Sequence, residues 1–179
     1  MPNVQVVSGS SQSITALKQA TVFHFTGHAE FDFNQPMNST LKNSDGELFT
    51  LLDVYCNLRL PKTELVFLSA CQSGMRRPNL LDEFDGFPTA FLYAGAKCVI
   101  CSLWKVHDLP ATLLVDRFYT NWKSGLPIGK ALEMARRWLR GVPDHKQSCL
   151  SCGEELKRYV SDRKIMAVSY THLTLPTKA

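Results

Sequence analysis

Two reactive groups in this 179-residue chain could act together, the thiol of Cys71 and the imidazole of His28. Each follows an apolar run. Leu65-Val66-Phe67-Leu68-Ser69-Ala70 leads into Cys71, and Val22-Phe23-His24-Phe25-Thr26-Gly27 leads into His28. A free cysteine titrates near about 8.5, so little of it is thiolate at neutral pH. A neighbouring imidazole raises that fraction or takes the proton during attack. Ser69, Ala70, Ser73 and Gly74 are small and leave room for a substrate carbonyl. The backbone N–H groups of Cys71 and Ala29 are candidates to face a developing oxyanion. A single cysteine after a strand is more often a packing residue than a nucleophile. The pairing of two such ends is what favours a cysteine-nucleophile hydrolase.

The elements that must position these residues follow from periodicity. Ala20 to Phe25 and the run from about Glu64 to Ala70 read as buried strands, being short, apolar and rich in β-branched and aromatic residues. Lys97 to Val106 reads as a third. Ser39 to Leu41 and Glu47 to Thr50, separated by a turn containing Asp45-Gly46, read as a hairpin. Helices are expected from about Ser13 to Gln19, from a Thr50/Asp53 capping box to about Leu58, and over Pro88 to Ala94 with Gly95 past the end. Another starts at Asp108, with Ala111, Val115, Phe118 and Trp122 on one face, and the last spans Ile128 to Arg140, with Ile128, Leu132, Ala135 and Leu139 inward. Strands alternating with helices predict an α/β layered fold with a mainly parallel central sheet flanked by helices. In such sheets functional residues gather beyond the carboxyl ends of strands, where His28 and Cys71 fall.

Composition narrows the function classes. Hydrophobic residues at 45% and charged residues at 20% describe an ordinary globular domain. The net charge of +4 is modest and its basic residues are scattered, so no direct nucleic-acid role is expected. No apolar run reaches the roughly 18 residues needed to span a bilayer, and no cationic-then-apolar leader opens the sequence. A cytoplasmic protein with reduced cysteines is expected.

These blocks together resemble the CHAT domain, a caspase-like cysteine peptidase family. The resemblance rests on Val22 to His28, on Leu65 to Gly74 with its Leu-Ser-Ala-Cys core, and on Ala94 to Asp108. Arg117-Phe118-Tyr119 and Gly125 to Ala135 follow in the expected order. It implies a caspase-like fold, His28 as base and Cys71 as nucleophile of peptide-bond hydrolysis. Caspases place their histidine about 50 residues before the cysteine, a gap similar to the one here. Where the family commonly has glycine after the histidine, this chain has Ala29, with Gly27 before it.

The same resemblance makes Ser102, Trp104 and Asp108 candidates for the substrate pocket. Asp108 can equally cap the helix that it starts; Asp85 is a further pocket candidate, and with Asp82 and Glu83 it could instead position the loop after the nucleophile or belong to a solvated acidic loop. An acid in the pocket would favour a lysine or arginine side chain in the substrate. No cofactor or metal is expected: Cys98 and Cys101 fall on a strand, where residues three apart face opposite ways, and Cys149/Cys152 would need ligands from elsewhere. Expected partners are a protein or peptide substrate and a regulatory helical-repeat region or sensor protein, since CHAT domains generally follow such repeats. A catalytically silent scaffold module is the alternative. The expected organisation is a lead-in over 1–19, the peptidase domain over 20–143, an extension over 144–168 and a disordered linker-like tail over 169–179.

Overall fold

Leu65–Ala70 forms the strand around which the other elements are laid down, and all six of its residues are buried. Continuous burial requires helices on both faces of a strand, and both faces are covered. A computed structural model describes residues 17–42, 48–70, 73–74, 77–78, 84–103 and 108–141. The strands are β1 (Val22–Glu30), β2 (Thr40–Lys42), β3 (Leu48–Thr50), β4 (Leu65–Ala70), β5 (Arg77–Pro78), β6 (Phe84–Asp85) and β7 (Val99–Cys101). The α-helices are α1 (Leu51–Asn57), α2 (Phe87–Tyr93), α3 (Asp108–Lys123) and α4 (Ile128–Arg140).

Among the described residues the main sheet has the order β3-β2-β1-β4-β7. β4 is parallel to β1 on one side and to β7 on the other, whereas β2 runs antiparallel to β1 and to β3. The small β5·β6 pair is separate. The chain is thus an α/β protein with a mixed sheet that is parallel at its centre.

Alternation along the strands divides the core in two. Phe23, Phe25, Val66, Leu68 and Ala70 point to the side covered by α1 and α2, where they meet Leu51, Val54, Phe87 and Phe91. Leu65 and Phe67 point to the other side and meet Leu114, Phe118 and Tyr119 of α3 and Ala131, Ala135 and Leu139 of α4. Burying each of these large side chains contributes about 1.5–3 kcal/mol. Cys98 packs on the α3/α4 side and Cys101 on the α1/α2 side, as residues three apart on a strand must. Among the described residues no helix is long and apolar enough to cross a membrane.

Local chemistry accounts for most boundaries. α1 begins at a complete capping box: the Asp53 N–H donates to Thr50 Oγ1 at 3.0 Å and the Thr50 N–H donates to Asp53 Oδ2 at 2.9 Å. α2 is followed by Gly95 at φ 112°, the left-handed position that favours glycine. The hairpin forms as β2 and β3, and its turn at 43–47 lies outside the described residues.

Three expectations need correction. β1 does not stop before His28 but continues to Glu30, because β2 takes over as its partner. β7 is three residues long instead of spanning Lys97 to Val106: β4 runs on to Ala70, but Ser102 gives its N–H and carbonyl to Ser73 and Gly74. On α3 the buried residues are Ala111, Thr112, Leu113, Leu114, Phe118 and Tyr119, a wider stripe than the one expected, because this helix packs against both the sheet and α4. The N-terminal helix is described only from Leu17, which is buried. The expected extension and tail beyond Gly141 lie outside the described residues.

Replacing Thr50 with Ala removes the side-chain acceptor at the start of α1. Urea denaturation should read a loss of about 1 kcal/mol with an unchanged dependence on denaturant.

Candidate active site

The parallel ladder of β1 on β4 starts at Val22 opposite Leu65 and ends at Gly27 opposite Ala70. His28 is the next residue of β1, and there the strand changes partner: His28 lies opposite Lys42 of β2 in antiparallel register. A Cβ on Gly27 would collide with the Lys42 carbonyl oxygen, so the crossover point admits only glycine. This requirement is invisible in the sequence, because Lys42 lies 15 positions away.

His28 is exposed and shares its side of the sheet with Glu30 and Lys42, whose ammonium and carboxylate are 2.8 Å apart. Ala29 faces the other way, buried in the core with Leu41. Its methyl group therefore points away from the face that carries His28. Cys71, which follows Ala70 in the chain, lies outside the described residues, as does Trp104. So do the side chains of Asp85, whose backbone pairs β6 with Arg77, and of Asp108 at the start of α3. Asp82 and Glu83 are likewise outside.

The residues just past position 71 are held by buried polar contacts. Ser73 is completely buried. Its hydroxyl donates to the Leu68 carbonyl at 3.1 Å and accepts the Ser102 N–H at 3.2 Å, and its own N–H donates to the Ala70 carbonyl at 3.3 Å. The Gly74 N–H donates to the Ser102 carbonyl at 2.7 Å. Ser102, a pocket candidate from the sequence, is 4% exposed, and both of its backbone groups are taken by this segment. Leu103 beside it is half exposed. The structure thus brings together Gly27, the last β1 residue paired with β4, Ala70 at the end of β4 and, through Ser73 and Gly74, Ser102 just past β7.

Sequence reasoning missed His24. It sits in β1 on the α3/α4 side, with Nε2 2.8 Å from Ser69 Oγ and Nδ1 3.0 Å from the Tyr119 hydroxyl, stacked on Phe67 at 4.9 Å between ring centres. Hydroxyls both donate and accept, so either neutral tautomer is satisfied. Burial lowers its pKa from 6.5 to about 4. It is a neutral core residue tying β1 and β4 to α3. The available signal was a polar side chain inside the run Phe23-His24-Phe25, which demands buried partners. Burial also raises the pKa of the Cys98 thiol, an environment opposite to that of an activated nucleophile.

A comparison with protein families matches the CHAT domain over residues 2–166. The chain belongs to the CHAT domain family. The match runs beyond 20–143 on both sides. This CHAT domain is also similar to human tetratricopeptide repeat protein 28, at 34% identity over 90 residues, covering 50% of this chain and 4% of that protein. The chain therefore corresponds to a small part of that relative's length. The two strands whose register ends at Gly27 and Ala70 both lie within the residues that match the CHAT domain.

The His24 environment sets a pH dependence. Above the unfolded value of 6.5 neither state binds the proton, so His24 contributes no pH dependence there. Below it the unfolded chain takes up a proton that the folded chain refuses until about 4, so stability falls through this window. Wild type should lose about 2 kcal/mol more than His24→Gln between about pH 7 and about pH 5 in urea denaturation. Equal losses would show that His24 is not held neutral.

Proposed function

We propose that this CHAT domain is a cysteine endopeptidase in which Cys71 is the nucleophile and His28 the base, acting on a peptide bond of a protein substrate. The observation that carries the reading is the parallel register of β1 and β4, whose last paired residues immediately precede His28 and Cys71 in the chain. Family membership supports the same roles.

In this reading His28 accepts the thiol proton as Sγ attacks the carbonyl carbon of the substrate. The resulting oxyanion is met by backbone N–H groups, for which Ala29 and Cys71 are the candidates. Collapse breaks the C–N bond, and the proton held by His28 passes to the departing amine. Water then attacks the thioester carbonyl, giving its proton to His28, which returns it to the Cys71 sulfur as the acid product leaves. Nothing in this sequence calls for a cofactor.

Ser102, Trp104 and Asp108 remain the proposed pocket residues, with Asp85 positioning the loop after the nucleophile. The buried attachment of Ser102 to the Ser73–Gly74 segment supports a pocket wall at the end of β7. A tetratricopeptide repeat protein among the relatives supports a helical-repeat region as the regulatory partner. We place the protein in the cytoplasm.

Incubation of the purified chain with a peptide library tests the function. Wild type should cleave after one preferred residue, and Cys71→Ala should leave only background. His28→Ala should lower kcat/KM by about 10²- to 10⁴-fold. Equal background from wild type and Cys71→Ala would instead favour a silent scaffold module.

A further inference from the structure

Ser73 has no role in the chemistry just described, yet it is among the most deeply buried polar residues of the chain. Its position explains why. Through one hydroxyl it joins the Leu68 carbonyl of β4 to the Ser102 N–H past the end of β7, at 3.1 and 3.2 Å. Its N–H reaches back to the Ala70 carbonyl, and the adjoining Gly74 N–H bonds the Ser102 carbonyl at 2.7 Å. Two chain segments that meet through only a three-residue parallel ladder, Val66 to Leu68 with Val99 to Cys101, are thereby fastened again beyond its end.

The fit leaves no slack. A Cβ on Gly74 would lie 2.8 Å from Cys101 Sγ and 2.9 Å from the Ser102 carbonyl oxygen, closer than real contacts of that kind. Serine meets the need at position 73 because one small hydroxyl both donates and accepts. Alanine would keep the fit but leave a buried carbonyl and a buried N–H without this partner.

We propose that Ser73 is a positioning residue that fixes the end of β7, where the substrate side chain is received, relative to the chain carrying the nucleophile. The proposal rests on the peptidase reading and deepens it: substrate pocket and nucleophile form one rigid unit, with Ser73 as its fastener. Misplacement by about 1 Å can cost about 10²-fold in a reaction that needs both parts aligned, while a reagent that needs only the thiol is indifferent to the pocket.

The test compares two reagents on Cys71, using the full chain. Iodoacetamide alkylates the thiol without engaging a pocket. A peptidyl acyloxymethyl ketone bearing Arg, Leu or Asp alkylates it through the pocket, the C–S bond forming as the carboxylate leaves. The readout is the ratio of the two labelling rates, measured by mass spectrometry with the fastest ketone for wild type. Loss of folded protein would by itself lower the ratio of ketone to iodoacetamide labelling, because an unfolded thiol still meets iodoacetamide, so the ratio is compared only between variants whose circular dichroism and urea midpoint show a folded chain. Ser73→Ala should lower the ratio by at least about tenfold. Gly74→Ala, which presses the same segment away from Ser102 without removing a hydroxyl, should lower it too and carries the test where Ser73→Ala does not fold. An unchanged ratio in a folded variant, with a selective wild type, overturns the fastening role and leaves the peptidase reading standing. A wild type with no preference among the ketones overturns the peptidase reading and the fastening role together.

Discussion

Parallel pairing of β1 with β4 keeps the two strands in step for six consecutive residue pairs, from Val22 opposite Leu65 to Gly27 opposite Ala70. The last of these pairs sets Gly27 beside Ala70, although β1 itself continues to Glu30 on β2. His28 follows one and Cys71 the other. A slip of one residue would turn Phe23, Phe25, Val66 and Leu68 away from the α1/α2 core, so the hydrophobic pattern that holds the fold also fixes this alignment. The site therefore inherits its precision from core packing, and the proposed chemistry adds no separate demand on the backbone there.

Buried polar side chains hold what apolar packing cannot. His24, three residues before the ladder's end, links Ser69 of β4 and Tyr119 of α3, and Ser73 links β4 to the segment after β7 just beyond it. Each is buried and fully used, which is the condition under which polar groups in a core specify one arrangement instead of destabilising it. Gly27 has the complementary part: it lets the β2 backbone come close enough for β1 to exchange a parallel partner for an antiparallel one immediately before His28.

Much of this was legible from residue types. The Thr50/Asp53 capping box, the left-handed Gly95 and the β2–β3 hairpin are local arrangements, specified by residues a few positions apart, and they formed as read. The layered α/β architecture followed from the alternation of elements. Contacts made across the fold were not legible. That His24 would meet Tyr119, that Gly27 would lie against the Lys42 carbonyl and that Ser73 would fasten Ser102 each depend on residues far apart in sequence. The extent of β1 and of β7 failed for the same reason: β1 gains a second partner in β2, and β7 stops where Ser102 bonds Ser73 and Gly74. At the site itself, residue chemistry pointed to His28, and register explains its position. The pairing of the two strand ends and the family resemblance together pointed to Cys71, which lies outside the described residues.

The central claim is that one register delivers a base and a nucleophile to a common edge. A crystal structure of the chain covalently labelled by a peptidyl acyloxymethyl ketone tests it most directly. The account predicts a thioether at Cys71 Sγ, a His28 ring nitrogen within about 4 Å of that sulfur or one water away, and the peptide side chain against the segment after β7. Labelling at Cys56 or Cys98, or a His28 ring turned away from Cys71 with packed side chains between them, would contradict it.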